Sequence, residues 1–302
     1  MKKLLIVGSA NVDYVMSFDY LPSEGQTLIS KDYRIEHGGK GANQAVACAR
    51  LKQDDTHIDF ICHLGSDSMA TELRNSWLSD GINEEGISHS YGMATGSAMI
   101  FIGNAGENMI GITAGANATL TSSALEKYTD LLTRADWVLA QLEIPSATVL
   151  KAFKMAKHHG AKTILNPAPA SAVINEIYPW VDIITPNAKE AEAITGIEVT
   201  DEESATFAAQ MLHALGPPTV IITLGKQGAY VSSVEFSGLV PALSVKAVDT
   251  VTAGDTFNGA LMVALSEGQP IAQAVTFANK ACAITVTRYG AQRSIPYRYE
   301  LD

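Results

Sequence analysis

Residues 248–260 read VDTVTAGDTFNGA, with Asp249 and Asp255 flanking the turn Thr252, Ala253, Gly254 just before a segment that reads as a helix. A turn of small residues entering a helix leaves backbone N–H groups unpaired, with the positive end of the helix dipole behind them. Such a turn attracts phosphate. A carboxylate beside it would repel that anion, unless the carboxylate has to meet the group that attacks phosphorus. In phosphoryl transfer the attacking hydroxyl needs orientation and a late proton acceptor more than a strong base, and an ionised Asp255 supplies both. An aspartate stabilised only by the helix dipole would fit the same position.

Two other stretches carry polar groups with a use. HGGKGANQAVACARL, residues 37–51, places Gly38, Gly39 and Gly41 where a backbone can approach a ligand closely. Lys40 adds a cationic donor, and Asn43 adds an amide at the start of an amphipathic helix. Polyhydroxyl ligands need such groups, although a glycine turn before a helix is also ordinary structure. The stretch has neither Walker A spacing nor a full dinucleotide fingerprint. GSANVD, residues 8–13, sets Asn11 and Asp13 at the carboxyl end of the first strand, suited to vicinal hydroxyls or simply to a turn. His37 abuts the glycine turn and is a weak candidate for substrate contact, while His57, His89 and His213 lack metal-ligand spacing.

These side chains need a scaffold. The apolar runs LLIVG (4–8), FICHLG (60–65), WVLAQLE (137–143), TILN (163–166), DIITPN (182–187) and VIITLG (220–225) alternate with helical patterns such as SATVLKAFKMAKHHG and ATFAAQMLHALG. Strands apolar on both faces predict an α/β fold: a central, mainly parallel sheet with helices on both faces. Ligands bind such sheets beyond the carboxyl ends of the strands. Residues 13–36 and 95–113 break the rhythm with alternating, Gly-punctuated runs, which suit antiparallel strands of a small inserted sheet, read as a lid. No linker divides the 302 residues, so a single domain, 1–302, with a lid is expected.

The net charge of −11 and the scattered basic residues argue against nucleic acid as a partner. Cys48, Cys62 and Cys282 are few and far apart, which fits a reducing cytoplasm better than a disulfide framework or a zinc site. The N-terminal apolar run stops at Gly8, too early for a signal peptide, and no stretch approaches a membrane span.

Taken in order, GSANVD, GGKGANQAVA, GENMIGITAGAN, QLE (141–143), NPAPA (166–170), DIITPNAKEAE, TLGKQGAY and DTVTAGDTFNGA resemble the ribokinase-like, or PfkB, carbohydrate kinase family over nearly the whole chain. The resemblance implies an ATP-dependent kinase acting on the 5-hydroxyl of D-ribose. It makes Asp255 the general base, and the amides of Thr252, Ala253 and Gly254 the anion hole. Asn11, Asp13, Gly39, Lys40, Asn43 and Glu143 match sugar-contacting positions. Asn187, Thr223, Gly225, Gly228 and Asn279 match the ATP side, with Glu190 helping to place Mg²⁺ through water. Asp249, Val251, Thr285, Arg288, Gly290 and Ser294 match the site of a monovalent cation, normally K⁺, several through backbone carbonyls. A homodimer packed through the lids is implied as well.

Two departures from the family pattern stand out. Thr252 puts a β-branched residue where Ala or Gly is common, and the chain stops soon after SIPYRYELD, where relatives often continue into a helix. The alternatives are a kinase for 2-deoxyribose, another sugar or a nucleoside, and a sugar-binding regulator without catalysis. A dehydrogenase lacks its fingerprint.

Overall fold

A computed structural model describes residues 1–104, 107–170 and 173–301. Residues 105 and 106 of the expected 95–113 segment lie outside the described residues. The chain runs β1 (Lys2–Val7), β2 (Asn11–Ser17), β3 (Asp32–Gly38), α1 (Lys40–Leu51), β4 (Thr56–Leu64), α2 (Ser68–Ser79), β5 (Ile82–Asn83), β6 (Ile87–His89), β7 (Gly96–Ile102) and β8 (Asn108–Thr113). It continues through α3 (Thr129–Arg134), β9 (Trp137–Ala140), α4 (Ser146–His158), β10 (Lys162–Leu165), β11 (Ile183–Ile184), α5 (Ala188–Thr195) and α6 (Glu202–Leu215). β12 (Thr219–Thr223), β13 (Gly228–Ser232), β14 (Ser237–Pro241), α7 (Ala253–Ser266) and α8 (Ile271–Thr285) complete it.

The large sheet has the order β14-β13-β12-β11-β10-β9-β1-β4-β5, with β6 also paired to β4. From β5 to β12 all pairings are parallel. Alternation along the strands divides the core in two. Leu4 and Ile6 of β1 pack with α1, α2, α7 and α8, while Leu5 and Val7 pack with α3, α4, α5 and α6. All four of these side chains are fully buried, which is why β1 reads as an unbroken apolar run. Truncating Leu4, Leu5 or Ile6 to alanine would cost about 2–5 kcal/mol. At the far edge β12, β13 and β14 form an antiparallel meander, because the three-residue turn after Leu224 is too short for a crossover.

The inserted segments form a separate four-stranded sheet, β3-β2-β7-β8. The antiparallel expectation holds for β2–β3 and β7–β8 but not for the middle pair, where β2 and β7 run parallel. The chain between them passes through β4 and α2 in the main sheet layer, so β7 returns in the same direction as β2. Asn11 and Asp13 also differ from expectation: they open β2 of this sheet, four and six residues past the end of β1.

Candidate active site

The strand order reverses between β1 and β9, since the chain first builds outward on one side of β1 and later on the other. Sheets of this kind place their ligand sites at the carboxyl ends beside such a reversal. A Cβ on Gly8 would stand 2.1 Å from Gln141 Oε1 and 2.7 Å from Gly41 Cα, so glycine lets the ends of β1 and β9 and the start of α1 meet. Ser9 Oγ donates to Glu143 Oε2 at 2.6 Å, and the Lys40 N–H donates to the same oxygen at 3.0 Å. The Glu143 carboxylate therefore caps the positive end of α1. Gly39 precedes α1 with φ +87, and a Cβ there would lie 2.7 Å from the Asn11 nitrogen.

Asn11 is buried and its Oδ1 accepts from Asn117 Nδ2 at 2.8 Å, while Asn117 Oδ1 accepts from the Ala10 N–H at 2.9 Å. Asp13 follows on the same face of β2. Burial, then the nearby carboxylates of Glu143, Glu36 and Asp255, push its carboxyl up to about 7, against the pull of Lys40. The Lys40 ammonium is held above its ordinary value by Asp255 first, and also by Glu143, Glu190 and Asp13, although its burial works the other way. One cation thus serves four acids drawn from four elements or their ends.

Asp255 lies in the first turn of α7 and is 7 % exposed. Its Oδ2 accepts from Asn43 Nδ2 at 2.9 Å, and its Oδ1 accepts from Gln44 Nε2 at 2.9 Å. Burial raises its pKa, and Lys40 and these two amides lower it. The preceding turn contains Thr252 at φ +68, the sole non-glycine residue with positive φ among the described residues. The β-branched departure is accommodated by left-handed backbone that such residues rarely adopt. Thr252 Oγ1 is buried without a partner. A Cβ on Gly254 would meet nothing within 4 Å, so the front of this helix start is open.

Gly254 and Ala253 face a cavity of about 450 Å³ that also includes Thr223, Gly225, Gly228 and Asn279. Its other walls are largely apolar, with Leu243, Val245, Phe257 and Val286 among them. Asn279 Nδ2 is spent on the carbonyls of Val240 and Pro241, both at 3.1 Å. Asn187 and Glu190 do not line this cavity. They close a capping box on α5, Asn187 Oδ1 accepting from the Glu190 N–H and Glu190 Oε2 from the Asn187 N–H, each at 2.9 Å. The N-x-x-E spacing thus has a structural reason of its own. Burial raises the Glu190 pKa, and it feels both Lys40 and Asp255, so it still faces the same centre.

A second cavity, of about 480 Å³, brings Asp13 together with Asp249, Val251 and Gly290. Asp249 bridges two loops, its Oδ1 accepting from the Val251 N–H at 3.0 Å and its Oδ2 from the Gly290 N–H at 3.2 Å. The other expected cation ligands have occupied side chains. Thr285 Oγ1 donates to the Ala281 carbonyl, Ser294 Oγ to the Ala291 carbonyl, and the Arg288 guanidinium pairs with Glu300. Their backbone oxygens, and the lone pairs of the two hydroxyls, remain for an ion. His37 points away from the site, its Nε2 lying 3.1 Å from Glu72 Oε1.

Sequence reasoning passed over Gln44, Asn117, Gln141, Asn166 and Gln292 as individual residues. The signal for Gln44 was available: it stands amid Ala45, Val46, Ala47 and Cys48 in a helix buried nearly all round. A polar side chain there must have a partner.

The sequence pattern of the pfkB family carbohydrate kinases matches residues 1–298. A ribokinase from Haemophilus influenzae is 42 % identical over 299 residues, covering 99 % of this chain and 97 % of that protein. The crystal structure of a Thermotoga maritima ribokinase superposes with a TM-score of 0.90 at 37 % identity, covering 100 % of this chain and 98 % of that one. An Arabidopsis thaliana ribokinase, solved with ribose and ATP, gives 0.89 at 30 % identity, with 99 % and 97 % covered. By this match over residues 1–298 and this identity over the whole chain, the chain belongs to the pfkB family of carbohydrate kinases.

Proposed function

We propose that the protein transfers the γ-phosphoryl group of ATP to the 5-hydroxyl of D-ribose. The observation that carries this reading is Asp255, buried and amide-held at the start of α7, beside the unobstructed face of Gly254. Asp255 orients the attacking hydroxyl and takes its proton late, while the N–H groups of Thr252, Ala253 and Gly254 stabilise the moving negative charge. Asn11, Asp13, Lys40 and Glu143 hold the sugar. A site built to pair hydroxyls discriminates against a substrate that lacks one, because its buried groups are then left unpaired.

The cavity at Gly254 suits ATP: an apolar slot between Leu243, Val245 and Val286 for the base, and an anion site at its inner end. Mg²⁺, held through water by Glu190, would neutralise phosphate charge. K⁺ fits the oxygen donors of Asp249 and the backbone carbonyls of the 249–251 and 285–294 loops, a set suited to a weakly hydrated ion. The small sheet is a lid that closes to exclude water. Dimerisation through it is supported by the exposed apolar side chains Met99, Met109, Ile110 and Ile112. Sedimentation of the protein as a monomer at working concentration would remove that part.

A coupled ADP-release assay with ATP, Mg²⁺ and ribose, 2-deoxyribose, fructose or adenosine, with and without K⁺, tests the reading. Greatest turnover with ribose, raised by K⁺, is expected. The apolar end of the second cavity, formed by Val15, Ile100, Ile102 and Ile110, favours a nucleoside as the second reading. Turnover greatest with adenosine would establish it, and sugar binding without any turnover would point to a regulator instead.

A further inference from the structure

Behind Asp255 lies a set of uncharged amides that touch neither cavity. Trp77 Nε1 can only donate, and it donates to Gln292 Oε1 at 3.1 Å. Gln292 must then present its Nε2 to Asn43 Oδ1, at 3.2 Å, and Asn43 its Nδ2 to Asp255 Oδ2, at 2.9 Å. The second line starts from a group of opposite polarity. The Thr185 carbonyl can only accept, and it accepts from Asn166 Nδ2 at 3.2 Å. Asn166 Oδ1 is thereby left to accept from Gln44 Nε2 at 3.1 Å, and the other Gln44 N–H goes to Asp255 Oδ1 at 2.9 Å. Gln44 Oε1 is in turn held by Gln141 Nε2.

We infer that Gln44 and Gln292 are positioning residues for the reaction: two lines of amides, each oriented by a group of single polarity, present one N–H donor to each oxygen of Asp255. Gln44 is fully buried, and Gln292, Asn43 and Asn166 are nearly so. Turning over Gln292, Asn43, Asn166 or Gln44 would set oxygen against oxygen at one end and N–H against N–H at the other, in a buried setting. The carboxylate is therefore fixed in rotamer, with one lone pair on each oxygen left for the substrate. The two N–H donors and the Lys40 charge favour its ionised form, against the burial that raises its pKa. Gln292 never touches substrate or Asp255, and acts only by deciding which way Asn43 faces.

This inference rests on the reading of Asp255 as the base, and the experiment separates the two. Gln44→Met and Gln292→Met are made in the unmodified protein and in an Asp255→Asn background, and kcat, KM for ribose and ATP, and Tm are measured. Gln292→Met, which leaves every atom in contact with Asp255 in place, is expected to lower kcat roughly tenfold or more. KM should change by less than about threefold, since the effect is confined to a reacting group. In the Asp255→Asn background neither variant should lower the residual kcat further. An unchanged kcat, or an equal loss in both backgrounds, would overturn the inference. If one variant does not fold, the other decides. Failure of the unmodified protein to phosphorylate ribose would remove the underlying reading instead.

Discussion

The carboxylate of Asp13 occupies the space in which Gly38 would carry a side chain: a Cβ there would stand 2.2 Å from Asp13 Oδ2 and 2.5 Å from its Cγ. The two residues lie on adjacent strands of the small sheet, where Asn11 pairs with Gly38. Gly38→Ala should displace a movable side chain end, so Tm should fall by only a few degrees while KM for ribose rises at least about tenfold. An unaltered KM would show that Asp13 does not need this position to hold the sugar.

Asp13 also sets a pH dependence. Its ordinary value is 3.8 and the folded value is about 7, so between these the folded state holds a proton that the unfolded chain lacks. Stability should decline as pH rises from about 4 to about 7 and then level off. Ribose hydroxyls donate to the ionised form, so binding should release a proton near pH 7 and tighten as pH rises from about 6 to about 8. Calorimetry in buffers of different ionisation heat reads this directly, and binding without proton release would exclude it.

Asp255→Asn should leave ribose and ATP affinities within a few fold while kcat falls by roughly 10² or more. Near-native turnover would remove Asp255 from the role of base.

Gly254→Ala separates stability from function. The added methyl meets no protein atom and replaces glycine in the first turn of a helix, so stability should be unchanged or rise by up to about 1 kcal/mol. The methyl would stand where the transferred phosphoryl group passes, and kcat/KM for ATP should drop at least about tenfold. A stable and fully active variant would exclude an anion hole at this turn.

Thr252→Gly should raise stability by about 1 kcal/mol, because it removes a β-branched residue from left-handed backbone and a hydroxyl that is buried without a partner. Thermal unfolding checks the sign. A loss of stability would mean that the threonine methyl contributes more through packing than its conformation costs.

The central sheet was legible because β1, β4, β9, β10 and β12 are buried on both faces over most of their length and read as predominantly apolar runs. The meander β13–β14 was not, since GAYVS and SGLVP are short and glycine-containing, and β14 is largely exposed. The parallel pairing of β2 with β7 depends on where α2 and β4 send the chain, which no local pattern in either strand encodes. Asp255, Lys40 and Asn43 stood out by type and by a turn nearby. Gln44 and Gln292 did not, because an amide's significance lies in which neighbour fixes its orientation, and those neighbours, Asn166 and Trp77, are more than one hundred residues away in sequence.

The bonds that assemble the site join Ser9 to Glu143, Asn43 to Asp255 and Asn43 to Gln292, spans of 134, 212 and 249 residues. Such closures come late in folding, after the entropy of large loops has been met by core burial. During synthesis the sugar-binding end is made first, yet Asn43 lacks its last partner until residue 292 has left the ribosome. The substrate therefore cannot template early folding of the nascent chain. It can recognise only finished molecules, and its stabilising effect is felt in resistance to unfolding rather than in the speed of folding.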